Sequence, residues 1–422
     1  MKREFLLIIL VILILIVLGT LSIPSYPDTY VKNTRIPRLF NVQAIDTMKF
    51  SRDAAREAAG SPNKFNQVIE REMTLIAKAG ATHAAIATPY DEEFVPVLRR
   101  WVNSARAHGL KVWFRGNFSG WENWFNYEKI GREEHKKLLD TFIRNHADLF
   151  ENGDIFSPCP ECENGGAGDP RNVGDAQGFK NFLVDEYSSA NNNFKLIGKS
   201  VSVLTSMNAD IARYVMDAKT VKSLGGTILI DHYVSSPDKL AKDLADIKNK
   251  LDADVGLGEF GAPIPDINGD MSESEQAQFV DSLLGKLYRQ NAFLPLINYW
   301  VLEGGSTELV SGGKPREAYG IIKKYYRMPS ISGLIMDTEG KILRGAKIIL
   351  GESGYSVTSE DGTYQVFVPT GEKKIIVKKE GYADQILTLK NSLATSTIKE
   401  FRLEPTNKSI WYKIRAFISS LR

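Results

Sequence analysis

Short apolar runs alternate eight times with longer helical segments between residues 39 and 328. The runs with the length and composition of strands are residues 40–46, 82–88, 111–117, 155–161, 200–205, 227–233, 255–260 and 293–301. The segments between them keep one apolar face at helical spacing, as residues 132–150 do. A helix between two strands returns the chain to the same end of the sheet, so this alternation predicts a parallel sheet covered by helices.

The number of strand–helix units narrows the fold class further. Eight units in roughly 290 residues fit an α/β protein of the (β/α)₈ TIM-barrel type, whose functional side chains lie on the loops after the strands. The alternative is an open, doubly wound sheet, but no Gly-x-Gly-x-x-Gly motif follows the first strand. We therefore expect a TIM-barrel domain over residues 39–328, with its chemistry at the strand ends.

The N-terminus has the composition of a membrane anchor. Residues 5–23 carry no charged side chain and, at about 1.5 Å per residue, nearly match a ~30 Å hydrocarbon layer. Lys2 and Arg3 precede them, which by the positive-inside rule places the N-terminus in the cytoplasm. A cleaved signal peptide is the alternative, but its apolar region is usually only about 7–15 residues long. The sequence thus predicts a single-pass cell-membrane anchor over residues 1–23, a linker over 24–38, and an extracytoplasmic remainder.

Charged and metal-binding residues exclude several classes of function. The 53 Lys and Arg residues are balanced by 51 Asp and Glu residues, so we expect no nucleic-acid partner. The five histidines form neither His-x-His nor His-Glu-x-x-His, and Cys159 and Cys162 supply only two ligands, so we expect no metal or other cofactor. Outside the membrane, Cys159 and Cys162 form either a local disulfide or two free thiols.

A change in composition at Met328 and Pro329 marks a second domain. Residues 329–404 contain short β-rich runs separated by turn signals, which predicts a small antiparallel β-sandwich. The tail over residues 405–422 has one apolar face that includes Trp411, with basic side chains elsewhere. This pattern predicts a basic amphipathic helix that either lies on a membrane surface or packs on the preceding domain.

Residues 331–390 resemble the carboxypeptidase regulatory-like domain, a transthyretin-like β-sandwich. The matching residues are Ile331-Ser332-Gly333, Asp337, Gly340, Gly345-Ala346, Thr358, Asp361-Gly362-Thr363-Tyr364, Pro369, Gly371 and Lys379-Glu380-Gly381-Tyr382. The resemblance implies a spacer or binding module attached to a surface enzyme. It does not imply a peptidase, because the segment lacks a set of metal ligands.

Functional side chains follow several of the predicted barrel strands. They are Glu161 and Glu163 at strand four, Asp231, His232 and Tyr233 at strand six, Glu259 at strand seven, and Asn298, Tyr299 and Trp300 at strand eight. Asp46 after strand one, and Arg115 and Asn117 after strand three, would face the same end of the barrel. Two carboxyl groups at a barrel mouth suit glycosidic bond cleavage, because one protonates the leaving oxygen while the other attacks the sugar or activates water.

These strand ends resemble those of a clan of retaining (β/α)₈ glycoside hydrolases that includes endoglucanase-like and mannanase-like enzymes. The resemblance covers roughly residues 39–327 and rests on Ile230-Asp231-His232-Tyr233, Gly258-Glu259-Phe260-Gly261 and Asn298-Tyr299-Trp300. It implies that Glu259 is the nucleophile, with Tyr233 as its hydrogen-bonding neighbour. It also implies that Trp300 is the floor of the sugar subsite nearest the cleaved bond and that Glu161 is the acid/base. The further candidate substrate-binding residues are His232, Asn298, Arg115 and Asn117.

The strand-four motif departs from the pattern of this clan. The clan has Asn immediately before the acid/base Glu, whereas here Pro160 precedes Glu161 and Cys162 precedes Glu163. Glu161 and Glu163 have the same strand parity, so alternation along a strand leaves both open as the acid/base.

The leading functional hypothesis is a membrane-anchored extracytoplasmic glycoside hydrolase that cleaves β-linked saccharides by a retaining two-glutamate mechanism. The alternative is a non-catalytic glycan-binding surface protein. Both imply a saccharide partner, together with the lipid bilayer at the N-terminal helix. A metal-dependent barrel hydrolase is disfavoured by the histidine spacing.

Overall fold

The computed structural model describes residues 39–289, 294–350, 355–359, 362–369, 371–372, 374–389 and 395–406. The predicted anchor and linker over residues 1–38 lie outside these ranges, as does the predicted amphipathic helix from residue 407 onwards. None of the helices in the described ranges is long and apolar enough to cross a membrane.

Eight parallel strands form a barrel, as the alternation of strands and helices predicts. They are β1 (Val42–Asp46), β2 (His83–Ile86), β3 (Lys111–Phe114), β4 (Ile155–Phe156), β5 in two segments (Ser202–Val203 and Thr205–Asn208), β6 (Thr227–Asp231), β7 (Asp254–Phe260) and β8 (Leu296–Tyr299). The first segment of β5 pairs with β4 and the second with β6, while β8 pairs with β1. The sheet therefore closes on itself, which excludes the open doubly wound alternative.

The observed strand β4 is shorter than predicted. It ends at Phe156, so Glu161 and Glu163 lie on the loop that follows and not on the strand. The parity argument for these two residues is therefore wrong, because side chains alternate only along an extended strand.

Helices connect the strands and cover the barrel. Within the described residues they are α1 (Ala55–Gly60), α2 (Pro62–Ala79), α3 (Val95–Ala107), α4 (Ser119–Glu122), α5 (Arg132–Asn145), α6 (Pro170–Val173), α7 (Ala176–Leu196), α8 (Ala209–Tyr214), α9 (Ala218–Ser223), α10 (Pro237–Leu251), α11 (Pro265–Asn268), α12 (Glu273–Arg289) and α13 (Glu317–Tyr326). Local signals set their ends: Ser236 caps α10 by accepting a hydrogen bond from the backbone N–H of Lys239. The apolar faces of the longer helices join the core between the helices and the sheet.

The side chains inside the barrel form an apolar layer beneath a polar layer. The apolar layer consists of Ala44, Ala85, Trp113, Ile155, Leu229 and Leu296. Alternate residues of a strand point to the same face, so the residues two positions further along also point inward. On four strands these are Asp46, Arg115, Asp231 and Asn298, all of them buried. The alternation therefore collects polar groups at the carboxyl ends of the strands.

Strand β7 departs from strict alternation just before Glu259. Leu257 pairs with Ile297 and Phe260 pairs with Tyr299, so the segment of β7 between these pairs is one residue longer than that of β8. Such a β-bulge turns the following side chain to the other face of the sheet. Without it, Glu259 would point outward with Leu257, which packs in the core between sheet and helices.

After a short hairpin of β9 (Val310–Ser311) and β10 (Lys314–Pro315), the chain forms two separate four-stranded sheets. One contains β12 (Ala346–Leu350), β13 (Tyr355–Ser359), β15 (Lys374–Lys378) and β16 (Gln385–Thr388), and the other contains β11 (Ser330–Asp337), β14 (Thr363–Phe367), β17 (Thr397–Ile398) and β18 (Phe401–Leu403). The first sheet is antiparallel as predicted. The second is mixed, because β17 and β18 return beside β11 in its own direction. The carboxypeptidase regulatory-like assignment stays a prediction.

Helix α2 carries a carboxyl group into the core. Glu72 is fully buried, and among the described residues neither of its carboxyl oxygens has a hydrogen-bond partner. Burial raises the pKa of Glu72 well above its usual value, and Glu303 raises it further, while Arg71 lowers it. An unpaired buried carboxylate is very costly, so Glu72 is expected to stay protonated at neutral pH.

Replacing Glu72 by methionine keeps a similar volume and removes the ionisable group. We expect Glu72→Met to raise the free energy of unfolding by about 1–3 kcal/mol at neutral pH. The gain should grow with pH, because Glu72 ionises in the unfolded chain above its usual pKa but stays protonated in the fold. The contribution of Glu72 to wild-type stability therefore falls as the pH rises towards the pKa of Glu72 in the folded state.

Urea unfolding at about pH 5 and about pH 8 measures this difference. Glu128, which is exposed, provides the matched control, and Glu128→Met should show no comparable pH dependence. If Glu72→Met raised the free energy of unfolding by the same amount at both pH values, Glu72 would not be a buried carboxyl group that stays protonated in the fold.

Candidate active site

Glu259 lies at the carboxyl end of β7, where the bulge directs it into the barrel mouth. Its Oε1 atom accepts a hydrogen bond from Arg115 Nη1 at 2.7 Å, and its Oε2 atom accepts one from the Tyr233 hydroxyl at 2.6 Å. The side chain is almost fully buried. Two donors on one buried carboxyl group fix its orientation.

Arg115 joins three carboxyl groups from three different strands. Its Nη1 atom lies 2.6 Å from Asp46 Oδ2 as well as 2.7 Å from Glu259 Oε1, and its Nη2 atom lies 3.0 Å from Asp231 Oδ2. Beneath it, the guanidinium carbon lies 4.9 Å from the centroid of the Trp113 ring. The planar fork of an arginine suits such a shared position, because its donors point in several fixed directions.

Gly258 allows Asp231 to approach β7. A Cβ atom at this position would lie 2.2 Å from Asp231 Oδ1, so a larger residue would have to displace the Asp231 carboxyl group. The Gly258 carbonyl in turn accepts a hydrogen bond from Asn298 Nδ2 at 2.8 Å. Asn298 also donates to Asp46 Oδ2 at 3.2 Å. The bulge that turns Glu259 inward is thus hydrogen-bonded to the neighbouring strand β8 through Asn298.

The structure brings Glu161, and not Glu163, to Glu259. One carboxyl oxygen each of Glu161, Asp231 and Glu259 lies within 4.8 Å of the other two. Glu163 is buried elsewhere on the loop, where its Oε1 atom accepts a hydrogen bond from the backbone N–H of Asn208 at 2.6 Å. Of the two predicted candidates, Glu161 is therefore the one that lies beside Glu259.

The cluster contains more carboxyl groups than positive charges. Arg115 is the cation that contacts Asp46, Asp231 and Glu259 in the part of the chain that the structure describes. Burial raises the pKa of Asp231 well above its usual value, and the charge of Glu259 adds to this effect. Burial, followed by the charges of Glu259 and Glu163, raises the pKa of Glu161 to about 8. Glu161 is therefore protonated at neutral pH, whereas Glu259 accepts hydrogen bonds from two donors.

Two aromatic side chains stand beside Glu259. Burial and the charge of Glu259 raise the pKa of Tyr233 well above its usual value, so Tyr233 stays a hydrogen-bond donor. The rings of Tyr233 and Trp300 meet edge to face, with centroids 6.0 Å apart. Trp300 is partly exposed, and its Nε1 atom donates to Met48 Sδ at 3.2 Å. Both residues are thus at the mouth, as the sequence predicts.

Two other predicted substrate-binding residues are not brought into the cluster. His232 Nε2 contacts Asp243 Oδ2 on α10 at 2.7 Å, because residue 232 points outward between the inward-pointing Asp231 and Tyr233. Asn117 is fully buried, and its side chain contacts His135 and Glu122. A third predicted substrate-binding residue, Asn298, lies below the mouth, where it donates a hydrogen bond to the Gly258 carbonyl in the bulge of β7.

Sequence reasoning missed the place of Asp231 in the cluster. Asp231 is recognisable as a strand-end residue, but nothing in the sequence shows that it shares Arg115 with Glu259. Its inward direction follows from Leu229, two positions earlier, which lies in the apolar layer. Glu122 was also missed: it is largely buried, and burial raises its pKa to about 7.

The three carboxyl oxygens of Glu161, Asp231 and Glu259 are close enough together to ligate one divalent cation. Arg115 already binds an oxygen of Asp231 and an oxygen of Glu259, however, and its positive charge opposes a second cation at this point. The arrangement therefore favours acid–base and nucleophilic chemistry at the carboxyl groups themselves.

No protein-family model matches this chain, and neither does any curated protein sequence. Similar solved structures include a β-glucuronidase from Bacteroides uniformis, at 11% identity and a TM-score of 0.45, with 79% of this chain and 44% of that chain covered. A fungal β-1,4-galactanase has 15% identity and a TM-score of 0.45, with 67% and 99% covered. A family 5 xyloglucanase from Paenibacillus pabuli has 15% identity and a TM-score of 0.43, with 60% and 89% covered. This chain thus spans less than half of the glucuronidase, and its function is argued from its own site.

Removal of Arg115 tests its place at the centre of the cluster. Arg115→Met leaves three buried carboxyl groups without their cation and should lower the free energy of unfolding by about 3–5 kcal/mol at neutral pH. Burial raises the pKa of Asp46 above its usual value, while Arg115 lowers it. The loss should shrink as the pH falls, because protonation of Asp46 removes charge that Arg115 compensates.

Urea unfolding at neutral and acidic pH measures both effects. Arg115→Lys is the matched control, since it keeps the charge but not the fork, and its loss should be smaller. An equal loss for the two variants, or a loss that does not change with pH, would show that Arg115 acts through packing alone.

Proposed function

We propose that this protein is a membrane-anchored, extracytoplasmic glycoside hydrolase that cleaves β-linked saccharides with retention of configuration. Glu259 is the nucleophile and Glu161 is the acid/base. The observation that carries the proposal is the pair itself: Glu259, which accepts hydrogen bonds from Arg115 and Tyr233, lies beside Glu161, whose raised pKa keeps it protonated at neutral pH.

The separation of the two carboxyl groups supports retention. Retaining enzymes place their carboxyl groups about 5–5.5 Å apart, whereas inverting enzymes need about 6.5–9.5 Å to admit a water molecule between acid and base. The nearest carboxyl oxygens of Glu161 and Glu259 lie within 4.8 Å of each other. This distance is shorter than the separation in inverting enzymes, and it suits direct attack by Glu259 on the sugar.

In the first step, Glu259 Oε attacks the anomeric carbon while Glu161 transfers its proton to the glycosidic oxygen. The C–O bond to the leaving group breaks, and an ester forms between the sugar and Glu259. In the second step, water attacks the same carbon, Glu161 takes a proton from it, and Glu259 leaves as a carboxylate. Arg115 and Tyr233 hold Glu259 at its position and stabilise the charge that returns to it.

The aromatic residues at the mouth support a sugar as the substrate. Trp300 offers a flat apolar surface of the kind that sugar rings stack on, next to Tyr233 and the nucleophile. Residues 1–23 supply the proposed anchor, with Lys2 and Arg3 on the cytoplasmic side. The disulfide between Cys159 and Cys162 is in keeping with an oxidising compartment outside the cytoplasm.

Three single variants test the roles of the carboxyl groups. On aryl β-glycosides, Glu259→Gln should abolish hydrolysis, and Glu161→Gln should lower kcat/KM by about 10²–10⁴-fold when the leaving group is a weak acid. Glu163→Gln is the matched control and should stay much closer to wild type. Trapping with a 2-fluoro glycoside, followed by mass spectrometry, should place the sugar on Glu259.

Binding measurements separate the enzyme from a glycan-binding protein. If wild type hydrolyses none of a broad panel of glycosides and polysaccharides, yet binds glycans equally well with and without the two glutamates, the non-catalytic alternative stands. Inversion of the product configuration, followed by NMR, would instead contradict Glu259 as a nucleophile.

The raised pKa of Glu161 predicts the basic limb of the pH profile. The first step needs protonated Glu161, so kcat/KM should be constant at neutral pH and fall as the pH rises through about 8. In Glu161→Gln this limb should disappear, because the side chain no longer loses a proton. A basic limb that persists in the variant would assign it to another group.

A further inference from the structure

The proposed acid/base is not carried by a barrel strand. Glu259 lies within β7, whereas β4 ends at Phe156 and Glu161 is on the loop beyond it. Loops hold side chains less rigidly than strands unless they are fixed by further contacts. An acid that must meet the glycosidic oxygen to within a fraction of an ångström therefore needs another constraint.

The two ends of this loop are fixed by hydrogen bonds. At the start, Ser157 Oγ accepts from Trp113 Nε1 at 3.0 Å and donates to the Leu204 carbonyl at 2.9 Å. At the far end, the backbone N–H of Gly166 donates to the Trp121 carbonyl at 2.7 Å. These contacts anchor the ends of the loop. Nearer to Glu161, Glu163 Oε1 accepts a hydrogen bond from the backbone N–H of Asn208 at 2.6 Å, but this contact does not hold the Glu161 side chain.

A disulfide closes the middle of the loop around Glu161. Cys159 and Cys162 are bonded, with Glu161 between them, and both are almost fully buried. Within this ring Glu161 has a φ angle of +45°, a left-handed conformation that non-glycine residues adopt only when the surrounding structure imposes it. Its backbone N–H donates to the Ser206 carbonyl on β5 at 3.2 Å.

The disulfide is itself held by a buried polar network. Asn117 Nδ2 lies 3.5 Å from Cys159 Sγ, and Asn117 Oδ1 lies 2.7 Å from His135 Nε2. The other ring nitrogen of His135 lies 3.0 Å from Glu186 Oε1 on α7. Asn117 thus links the disulfide to two helices behind it, which gives this buried residue a role that does not involve sugar.

We propose that the Cys159–Cys162 disulfide is the positioning device of the acid/base, so that the reaction depends on its oxidised state. This inference rests on the proposed function. With the disulfide intact, the left-handed turn holds the Glu161 carboxyl group against Asp231 and Glu259. Reduction by a dithiol breaks the S–S bond, forms two cysteine thiols, and oxidises the reductant to its own disulfide. The turn then relaxes, and Glu161 moves into solvent.

Release of Glu161 has a chemical signature that general destabilisation lacks. The formation of the glycosyl ester needs the acid only when the leaving group is a weak acid, whereas a 2,4-dinitrophenolate departs without a proton. Hydrolysis of the ester still needs Glu161 as a base, but azide attacks the ester without one. A released Glu161 is also solvated, so its pKa falls from about 8 towards its usual value.

The test compares wild type with Cys159→Ser/Cys162→Ser, which removes the only two cysteines of the chain. For aryl β-glycosides with weakly acidic leaving groups, kcat/KM should fall by about 10²-fold or more, while kcat/KM for the 2,4-dinitrophenyl glycosides changes little and azide raises kcat. The pKa of Glu161, followed by ¹³C NMR of the carboxyl group and assigned with Glu161→Gln, should fall in the cysteine variant.

Further variants show whether the disulfide acts through Glu161. In the Glu161→Gln background, removal of the cysteines should cause no additional loss, as expected for two changes that act on one step. Wild type reduced with dithiothreitol should reproduce the variant's behaviour once two thiols are titrated and circular dichroism shows a native fold. The same reductant should leave the cysteine variant unchanged.

The outcomes separate this inference from the proposed function. An unchanged pKa of Glu161 and an unchanged dependence on the leaving group, in the variant or in the reduced protein, overturn the positioning role even if the enzyme is active. A uniform fall for all leaving groups also overturns it, because that is the mark of a structural role. Absence of hydrolysis by the oxidised wild type would overturn the proposed function, while the NMR titration still decides where the disulfide holds Glu161.

Discussion

The structure of the barrel mouth depends on one buried cation. Arg115 binds carboxyl groups from β1, β6 and β7 at once, and its own position is set by the Trp113 ring below it. Buried carboxylates repel one another strongly at low dielectric, so they can share this space only while the guanidinium lies between them. The polar layer of the barrel is therefore a single electrostatic unit, and Glu259 is positioned by all of it.

The two glutamates of the proposed mechanism lie in different surroundings. Glu259 receives hydrogen bonds from Arg115 and Tyr233. Glu161 is near the same charges, yet the protein gives it no such donors among the described contacts, and burial raises its pKa to about 8. The two carboxyl groups thus differ in the hydrogen-bond donors that reach them, which is the kind of difference that the proposed acid and nucleophile require.

Much of this arrangement could be predicted from the sequence. The eight strands, the barrel class, and the presence of Glu259, Tyr233 and Trp300 at the mouth follow from hydrophobic periodicity and from the residues at the strand ends. The sequence predicts His232 and Asn117 at the mouth as well, but a strand-end motif does not reveal the direction of each side chain, and the structure turns both away from the cluster. Asp231 is recognisable as a strand-end residue, but its contact with Arg115 is not predictable, because the two are distant in sequence and meet only in the closed barrel.

The sequence by itself determined the order of strands and helices and the identity of the groups that can carry chemistry, since both depend on local pattern. Only the tertiary structure decided which groups meet. Strict alternation would direct Glu259 outward with Leu257, and the bulge, fastened through Gly258 and Asn298, turns it inward. Parity leaves Glu161 and Glu163 equivalent, and it does not apply to them in the fold, because both lie beyond β4 on a loop closed by a disulfide. Local periodicity fixes direction only along a regular strand, and both carboxyl groups of the proposed mechanism lie where that regularity ends.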